Sequence, residues 1–249
     1  MTLTIAFLIA MLLMSIAVRL PPLTWLHNTA CQFTAVHSTV RTSYYNLRPL
    51  KSRNDIGRFL NELGAERFSV GAELGVQSGA FTLVLLGAWT NCRKLYLVDV
   101  WAKSNNYSDW ANVDDKSQLE LMSQARQRLV AFTNKTEFIQ GRTDVAVYAI
   151  SDASLDFIYL DARHDYCAVL RDLQLWWPKL RPGGILAGHD YQSDESVAPH
   201  QDWTLCEDGR KERGAVERAV NEFAAAHQLV VSVMYREYIS NSYMMQKPF

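Results

Sequence analysis

Apolar and polar positions alternate along the chain in two periods, and the switches between them mark out the elements. Ile56, Phe59, Leu60 and Leu63 recur at helical spacing between Asp55 and Arg67, which predicts an amphipathic helix. Phe68 to Leu74 then reads as a short buried strand ending at Gly75, and Gly79 to Trp89 as an apolar helix. Lys94 to Val100 is a second strand. Asp114 to Phe132 is a charged helix with Leu119, Met122, Ala125 and Leu129 on its inner stripe. Thr136 to Gln140, Leu155 to Leu160 and Ile185 to Gly188 are three further strands. Asp144 to Ile150 and Tyr166 to Leu180 are the helices between them, the second stopped by Pro182-Gly183-Gly184. Gly214 to Gln228 is a last helix, followed by strands at Leu229 to Tyr235 and Ser240 to Gln246.

Strands that alternate with helices imply a mainly parallel sheet covered on both faces. The last two strands are joined by too few residues for a parallel crossover and must pair antiparallel. The expected fold is therefore α/β: a Rossmann-like, doubly wound, mainly parallel seven-stranded sheet that ends in an antiparallel hairpin.

The first 54 residues break this rhythm. Leu3 to Val18 is an apolar run of 16 residues interrupted only by Thr4 and Ser15. As a helix it would be roughly 24 Å long, short of the about 20 residues a membrane span takes. It reads as a secretory signal or a short membrane anchor, with Ser15 and Ala17 as small residues at signal-peptidase spacing. An organelle transit peptide is the alternative, because residues 19–54 contain Ser, Thr and scattered Arg but no acid; a buried N-terminal helix is a third reading. Pro21-Pro22 ends any helix there. Residues 1–18 are thus the hydrophobic segment, 19–54 a basic linker or stem, and 55–249 the globular domain. The expected location is the secretory pathway or a membrane surface, or else an organelle.

Composition sharpens this division. The chain of 249 residues has a net charge of only −1. Its first acid is Asp55, so five cations precede it and the rest of the chain carries 20 cations against 26 acids. An acidic body without a basic stripe argues against a nucleic-acid partner. Four cysteines in a chain of this length exclude a disulfide-built fold. Their spacing is not that of a metal site. Two glycosylation sequons, at Asn106 and Asn134, carry weight only if the body enters a secretory lumen.

Candidate chemistry gathers at strand ends, where doubly wound sheets bind ligands. Glu73-x-Gly75-x-x-x-Gly79 closes the first strand and opens a helix, and Asp99 closes the second strand 20 residues beyond Gly79. Glycines let the backbone approach a ligand closely, and an acid after the second strand accepts from ribose hydroxyls. The acid at Glu73 would repel a pyrophosphate and favour an ammonium or sulfonium group. Asp161, His164, His189 and Asp190 follow the fourth and fifth strands. Asp161 and Asp190 suit a divalent cation such as Mg²⁺, and His164 a general base.

These segments resemble a known family. VGAELGVQSGAF and LYLVDVW are similar to the first two motifs of class I S-adenosylmethionine-dependent methyltransferases. LDFIYLDARHDY with WWPKLRPGGILAGHDY resembles the family 24 group, which includes relatives of the macrolide-sugar O-methyltransferases. The likeness spans about residues 56–247 and excludes the leader. It implies S-adenosyl-L-methionine as cofactor, with Glu73, Gly75 and Gly79 toward its methionine part, Asp99 at the ribose and Thr143 near the adenine. It also implies a methyl transfer to a hydroxyl of a small acceptor, helped by His164 and a cation on Asp161 and Asp190. Metal-dependent relatives carry two adjacent acids where this chain has His189-Asp190, so His189 is open between substrate, metal and structural roles.

Tyr107, Trp110 and Asn112 are candidates for the substrate mouth, and residues 192–213, with His200, Asp202 and Trp203, for a lid. Trp176 and Trp177 read as core, and Glu207 to Arg213 as a solvated charge run. Two rival functions stand beside the methyltransferase: a non-catalytic, membrane-tethered S-adenosylmethionine-binding protein, and an NAD or nucleotide-sugar enzyme on a similar sheet.

Overall fold

A computed structural model describes residues 47–64, 68–237 and 240–249. The hydrophobic segment predicted at 3–18 and the linker up to residue 46 lie outside the described residues. Among the described residues no helix is long and apolar enough to cross a membrane.

Seven strands form one sheet: β1 (Val70–Leu74), β2 (Lys94–Asp99), β3 (Thr136–Gln140), β4 (Leu155–Leu160), β5 (Leu180–Gly188), β6 (Ser232–Val233) and β7 (Tyr243–Gln246). Their order is β3-β2-β1-β4-β5-β7-β6. The first five run parallel, and β7 pairs antiparallel with both β5 and β6. The predicted fold is the one observed.

The helices are α1 (Ile56–Glu62), α2 (Ala80–Ala88), α3 (Asp115–Arg128), α4 (Thr143–Ala146), α5 (Tyr166–Trp176) and α6 (Ala215–Ala226). Strand periodicity sorts them onto two faces. Phe157 and Tyr159 of β4 pack with Phe59 and Leu60 of α1, Leu85 and Leu86 of α2, and Ala125 of α3. Ile158 and Leu160 point the other way, toward Leu173 and Trp176 of α5 and Val220 and Phe223 of α6. β4 is buried at every position, as a central strand covered on both sides must be.

Three details differ from the sequence reading. On α3, Leu119 is 55% exposed, whereas Gln118 and Ala125 are buried. Gln118 takes the place of Leu119 on the inner stripe, its amide donating to the Ala111 carbonyl (2.9 Å), while Ala125 and Leu129 are buried as expected and Met122 packs against the core. Pro182-Gly183-Gly184 lies inside β5 rather than before it, at a register irregularity against β4, a place where strands tolerate proline. The closing hairpin pairs over only two residues of β6. Beyond β6, Glu237 accepts the Arg53 backbone N–H (2.7 Å) and the Ser242 N–H.

Candidate active site

Parallel strands end on one rim, and β1, β4 and β5 are neighbours, so the residues after them converge. The register sets Glu73 beside Tyr159, and Leu160 beside Gly188. A cavity of about 460 Å³ opens at this edge, the size of a small-molecule site. Glu73, Gly75, Asp99, Thr143, Asp161, His164, His189 and Asp190 line it, and Gly79 does not.

The glycine turn is fixed by its protein neighbours. Gly75 has φ +89°, and a Cβ there would lie 1.8 Å from the Asp161 carbonyl oxygen. Only glycine lets the turn pass the end of β4. Gly79 caps α2 in the left-handed region, against Ala125 and Leu129. Asp99 accepts the Val76 and Gln77 N–H groups (both 2.8 Å) and the Trp101 N–H (2.9 Å). Its carboxylate therefore holds the turn in shape. Burial outweighs these donors and raises its pKa.

Glu73 is buried, and its Oε2 has no hydrogen-bond partner. Burial pushes its pKa up to about 8, against the opposing pull of the nearby Thr82 hydroxyl. Thr143 donates to Asp172 (2.6 Å). Burial moves the Asp172 carboxyl up to about 7 despite that bond.

Asp161, His164 and Asp190 form the second cluster, with one possible ligand atom from each lying within 4.8 Å of the others. His164 Nε2 is 3.2 Å from Asp190 Oδ2 and 3.6 Å from Asp161 Oδ1. It is buried and makes no hydrogen bond. His189 Nδ1 reaches Asp190 at 3.1 Å and Asp161 only at 4.0 Å. Asp190 has φ +54°, a left-handed conformation uncommon outside glycine and most often taken by Asn, Asp and His, and the Ser240 hydroxyl donates to its Oδ1. Burial opposes ionisation of Asp190, yet His164, His189 and Ser240 hold its pKa below the ordinary range.

The far side of His164 supplies residues that the sequence reading missed. Asp109 Oδ2 lies 3.1 Å from His164 Nδ1 and accepts the Trp203 indole N–H at 2.7 Å. Its Oδ1 accepts the Ala111 N–H (2.8 Å). Burial raises the Asp109 pKa, but these partners overcome it and keep the group ionised. An ionised Asp109 places a proton on His164 Nδ1 and leaves Nε2 to the cavity. Burial lowers the His164 pKa, and Asp109, Asp161 and Asp190 together more than reverse this, to about 10. Tyr107 sits beside the same imidazole, its hydroxyl 3.0 Å from Nδ1. Arg53 enters from the other side, with Nη1 3.4 Å from Asp161 Oδ2.

The predicted lid is pinned. A disulfide joins Cys167 of α5 to Cys206. Trp203 is buried, its ring 4.4 Å from that of His164. Glu207, read as part of a solvated run, instead pairs with Arg142 and Arg171. Trp110 is 65% exposed at the cavity mouth. The missed residues share one weakness as signals: Asp109, Ser240 and Arg53 lie in irregular segments far along the chain from the residues they touch.

Comparison with known proteins bears on the fold and the family. Residues 72–191 match a family model described as a methyltransferase domain, family 24. A Corynebacterium glutamicum protein superposes over 98% of both chains, with TM-score 0.52 and 14% identity. A Staphylococcus aureus protein assigned as a caffeoyl-CoA O-methyltransferase aligns over 78% of this chain and 80% of its own, with TM-score 0.51 and 11% identity. The N-methyltransferase NodS from Bradyrhizobium japonicum aligns over 78% and 96%, with TM-score 0.50 and 16% identity. At such identities the likeness is one of fold. No curated protein matches the sequence.

Proposed function

We propose that the chain is an S-adenosylmethionine-dependent methyltransferase of the family 24 type, as the methyltransferase-domain model matched by residues 72–191 supports, and that it methylates a hydroxyl of a small-molecule acceptor. The observation that carries this reading is the convergence of Asp161, His164 and Asp190 on the wall of the cavity that also holds Glu73 and the glycine turn.

When bound, S-adenosylmethionine supplies a methyl group on a sulfonium, to be attacked in line by the acceptor oxygen. Glu73 would face its ammonium group, and the Gly75 turn would let the methionine part lie against β1 and β4. A hydroxyl is a poor nucleophile until it loses its proton. His164 is placed to take that proton on Nε2, with Asp109 holding the opposite nitrogen in the tautomer this requires.

Two carboxylates, Asp161 and Asp190, would hold a divalent cation, with His164 Nε2 left unligated as the base. An imidazole from His189, beside Asp190, would be less typical of Mg²⁺ and suit a softer ion. A cation on Asp161 and Asp190 would lower the acceptor's pKa and offset the negative charge that keeps His164 protonated. His189 has Asp190 as its partner and is left to orient that carboxylate or to meet the acceptor.

The small volume of the cavity and the acidic body favour a small acceptor over a nucleic acid. The apolar segment 3–18 and the Cys167–Cys206 bridge support placement in an oxidising compartment, where such bridges persist.

The test is thermal unfolding of the full chain with S-adenosylhomocysteine, with and without Mg²⁺ or Mn²⁺, followed by turnover on a panel of polyhydroxylated small molecules. We expect stabilisation by S-adenosylhomocysteine, since a ligand that binds only the folded state raises its melting point. NAD stabilising in its place would sink the cofactor reading. Turnover unaffected by EDTA would sink the metal.

A further inference from the structure

We propose that Trp203 positions the base His164, and that the Cys167–Cys206 bridge makes this positioning depend on the redox state of the chain. The inference rests on the assignment of His164 as base. It goes beyond that assignment in naming what holds the imidazole and what can release it.

A line of contacts runs from the bridge to the imidazole. Cys206 follows Trp203 closely in a segment that folds back on itself, with Leu205 bridged to Lys211 and the Cys206 N–H donating to the Arg210 carbonyl (2.9 Å). The disulfide ties this segment to the first turn of α5. Trp203 is 3% exposed, its ring lies 4.4 Å from that of His164, and its indole N–H donates to Asp109 at 2.7 Å. Asp109 in turn lies against His164 Nδ1. One side chain thus covers the imidazole and orients its partner. The Asp202 N–H donates to the Ser108 carbonyl (2.9 Å), so the segment with Trp203 and the loop with Asp109 are fastened together.

The other fastenings are weaker in kind. Glu207 meets Arg142 and Arg171 in partly exposed ion pairs, a class that contributes little in water. Asn106 and Arg163 each give one hydrogen bond, to the Glu207 carbonyl (2.9 Å) and the Leu205 carbonyl (3.4 Å). Among the described residues the bridge is the only covalent cross-link.

Cys206 is buried and Cys167 half-buried, so the Cys167 sulfur is the one a small dithiol reaches. A thiolate of the dithiol attacks that sulfur, the bond to Cys206 breaks, and Cys206 leaves as a thiolate that takes up a proton. The second thiol of the reagent then displaces Cys167. The chain ends with two thiols and the dithiol as its own disulfide. Trp203 has then lost its covalent anchor, His164 its cover and Asp109 its indole donor. Glu73 and the glycine turn lie on β1 and the loop after it, apart from the bridge. A reduced chain therefore binds S-adenosylmethionine without turning it over, and oxidation sets the base.

The test follows the full chain with and without dithiothreitol. Its readouts are hydrogen exchange of the Trp203 indole, diethyl pyrocarbonate modification of His164 mapped by mass spectrometry, and S-adenosylhomocysteine affinity; none needs an acceptor. We expect reduction to speed exchange and modification by about tenfold or more, as local opening requires. S-adenosylhomocysteine affinity should stay within about threefold. C167S/C206S should show the faster rates without reductant and no response to it. Reoxidation of the wild type should restore the slow rates, which decides the matter if the double variant does not fold. W203A should expose His164 with the bridge intact, and W203F should recover part of the protection. Rates unchanged by reduction would overturn the proposal, as would a parallel loss of S-adenosylhomocysteine affinity, the mark of general loosening. If reduction frees His164 while methyl transfer to the polyhydroxylated panel continues, His164 is not the base, and the proposal falls with that assignment.

Discussion

His164 is the residue on which the proposed chemistry turns, and its geometry is set from a loop 55 positions away. Asp109 accepts from the Trp203 indole and lies against His164 Nδ1, so one carboxylate ties two loops to one imidazole. Replacing it by Asn puts an amide that can donate where only an acceptor stood. Asp109 is also one of the charges that hold the imidazole protonated, so its loss lowers the pH at which His164 gives up a proton and removes the acceptor that keeps the remaining one on Nδ1. D109N should lower kcat by about 100-fold or more while S-adenosylhomocysteine affinity holds, as expected of a residue that orients a base. Nitrogen chemical shifts of the His164 ring, followed against pH, would report its titration and the nitrogen that keeps the proton independently of any acceptor. An unchanged titration with full turnover would remove Asp109 from the mechanism. None of this was visible in the sequence. Asp161, His164 and Asp190 could be read there because each follows a strand and parallel strand ends converge. Asp109, Ser240 and Arg53 sit in irregular segments whose path depends on tertiary contacts, so no period or motif points to them.

Elements explain which readings held. The order of strands and helices was legible because buried parallel strands and amphipathic helices write their periods into the chain. The hairpin was legible in kind and not in length, since Glu237 and Ser240 draw the connection toward Arg53 and Asp190. The bridge between α5 and the segment after β5 was not legible: four cysteines without metal spacing allow a pair but do not choose it. Cys167 and Cys206 close a loop of 39 residues, and on a chain-entropy account such a link is worth about 4 kcal/mol. It also anchors the segment that carries Trp203. The C167S/C206S double variant should unfold at lower urea by about 2–4 kcal/mol and expose the Trp203 indole to hydrogen exchange. S-adenosylhomocysteine binding should persist, because Glu73 and the glycine turn lie on β1 and its following loop. Unchanged protection at Trp203 would show that the bridge does not hold this wall of the site.

The molecule as a whole carries buried acids that folding keeps from ionising. Burial holds Glu73 at about 8 and Asp172 at about 7, both above their ordinary values. In the unfolded chain they lose their protons at the usual carboxylate values near 4. Between those limits the native state binds more protons than the unfolded state, so stability falls as pH rises. His164, raised to about 10, adds a fall of the same sign above its unfolded value near 6.5, so the urea midpoint of the ligand-free protein should fall from pH 5 through pH 8. Ligand reverses this locally. At pH 7 Glu73 enters the complex protonated, and a cofactor ammonium group beside it favours the carboxylate. Binding of S-adenosylhomocysteine should then release about one proton, measurable as the dependence of calorimetric heat on the ionisation enthalpy of the buffer. E73Q should abolish that release and flatten the Glu73 part of the pH profile, leaving the Asp172 part in place. A stability that climbs from pH 5 to pH 8, or binding heat independent of buffer, would mean that Glu73 is already ionised in the free protein. The attraction for the ammonium group would then rest on a preformed charge rather than on one created by the ligand.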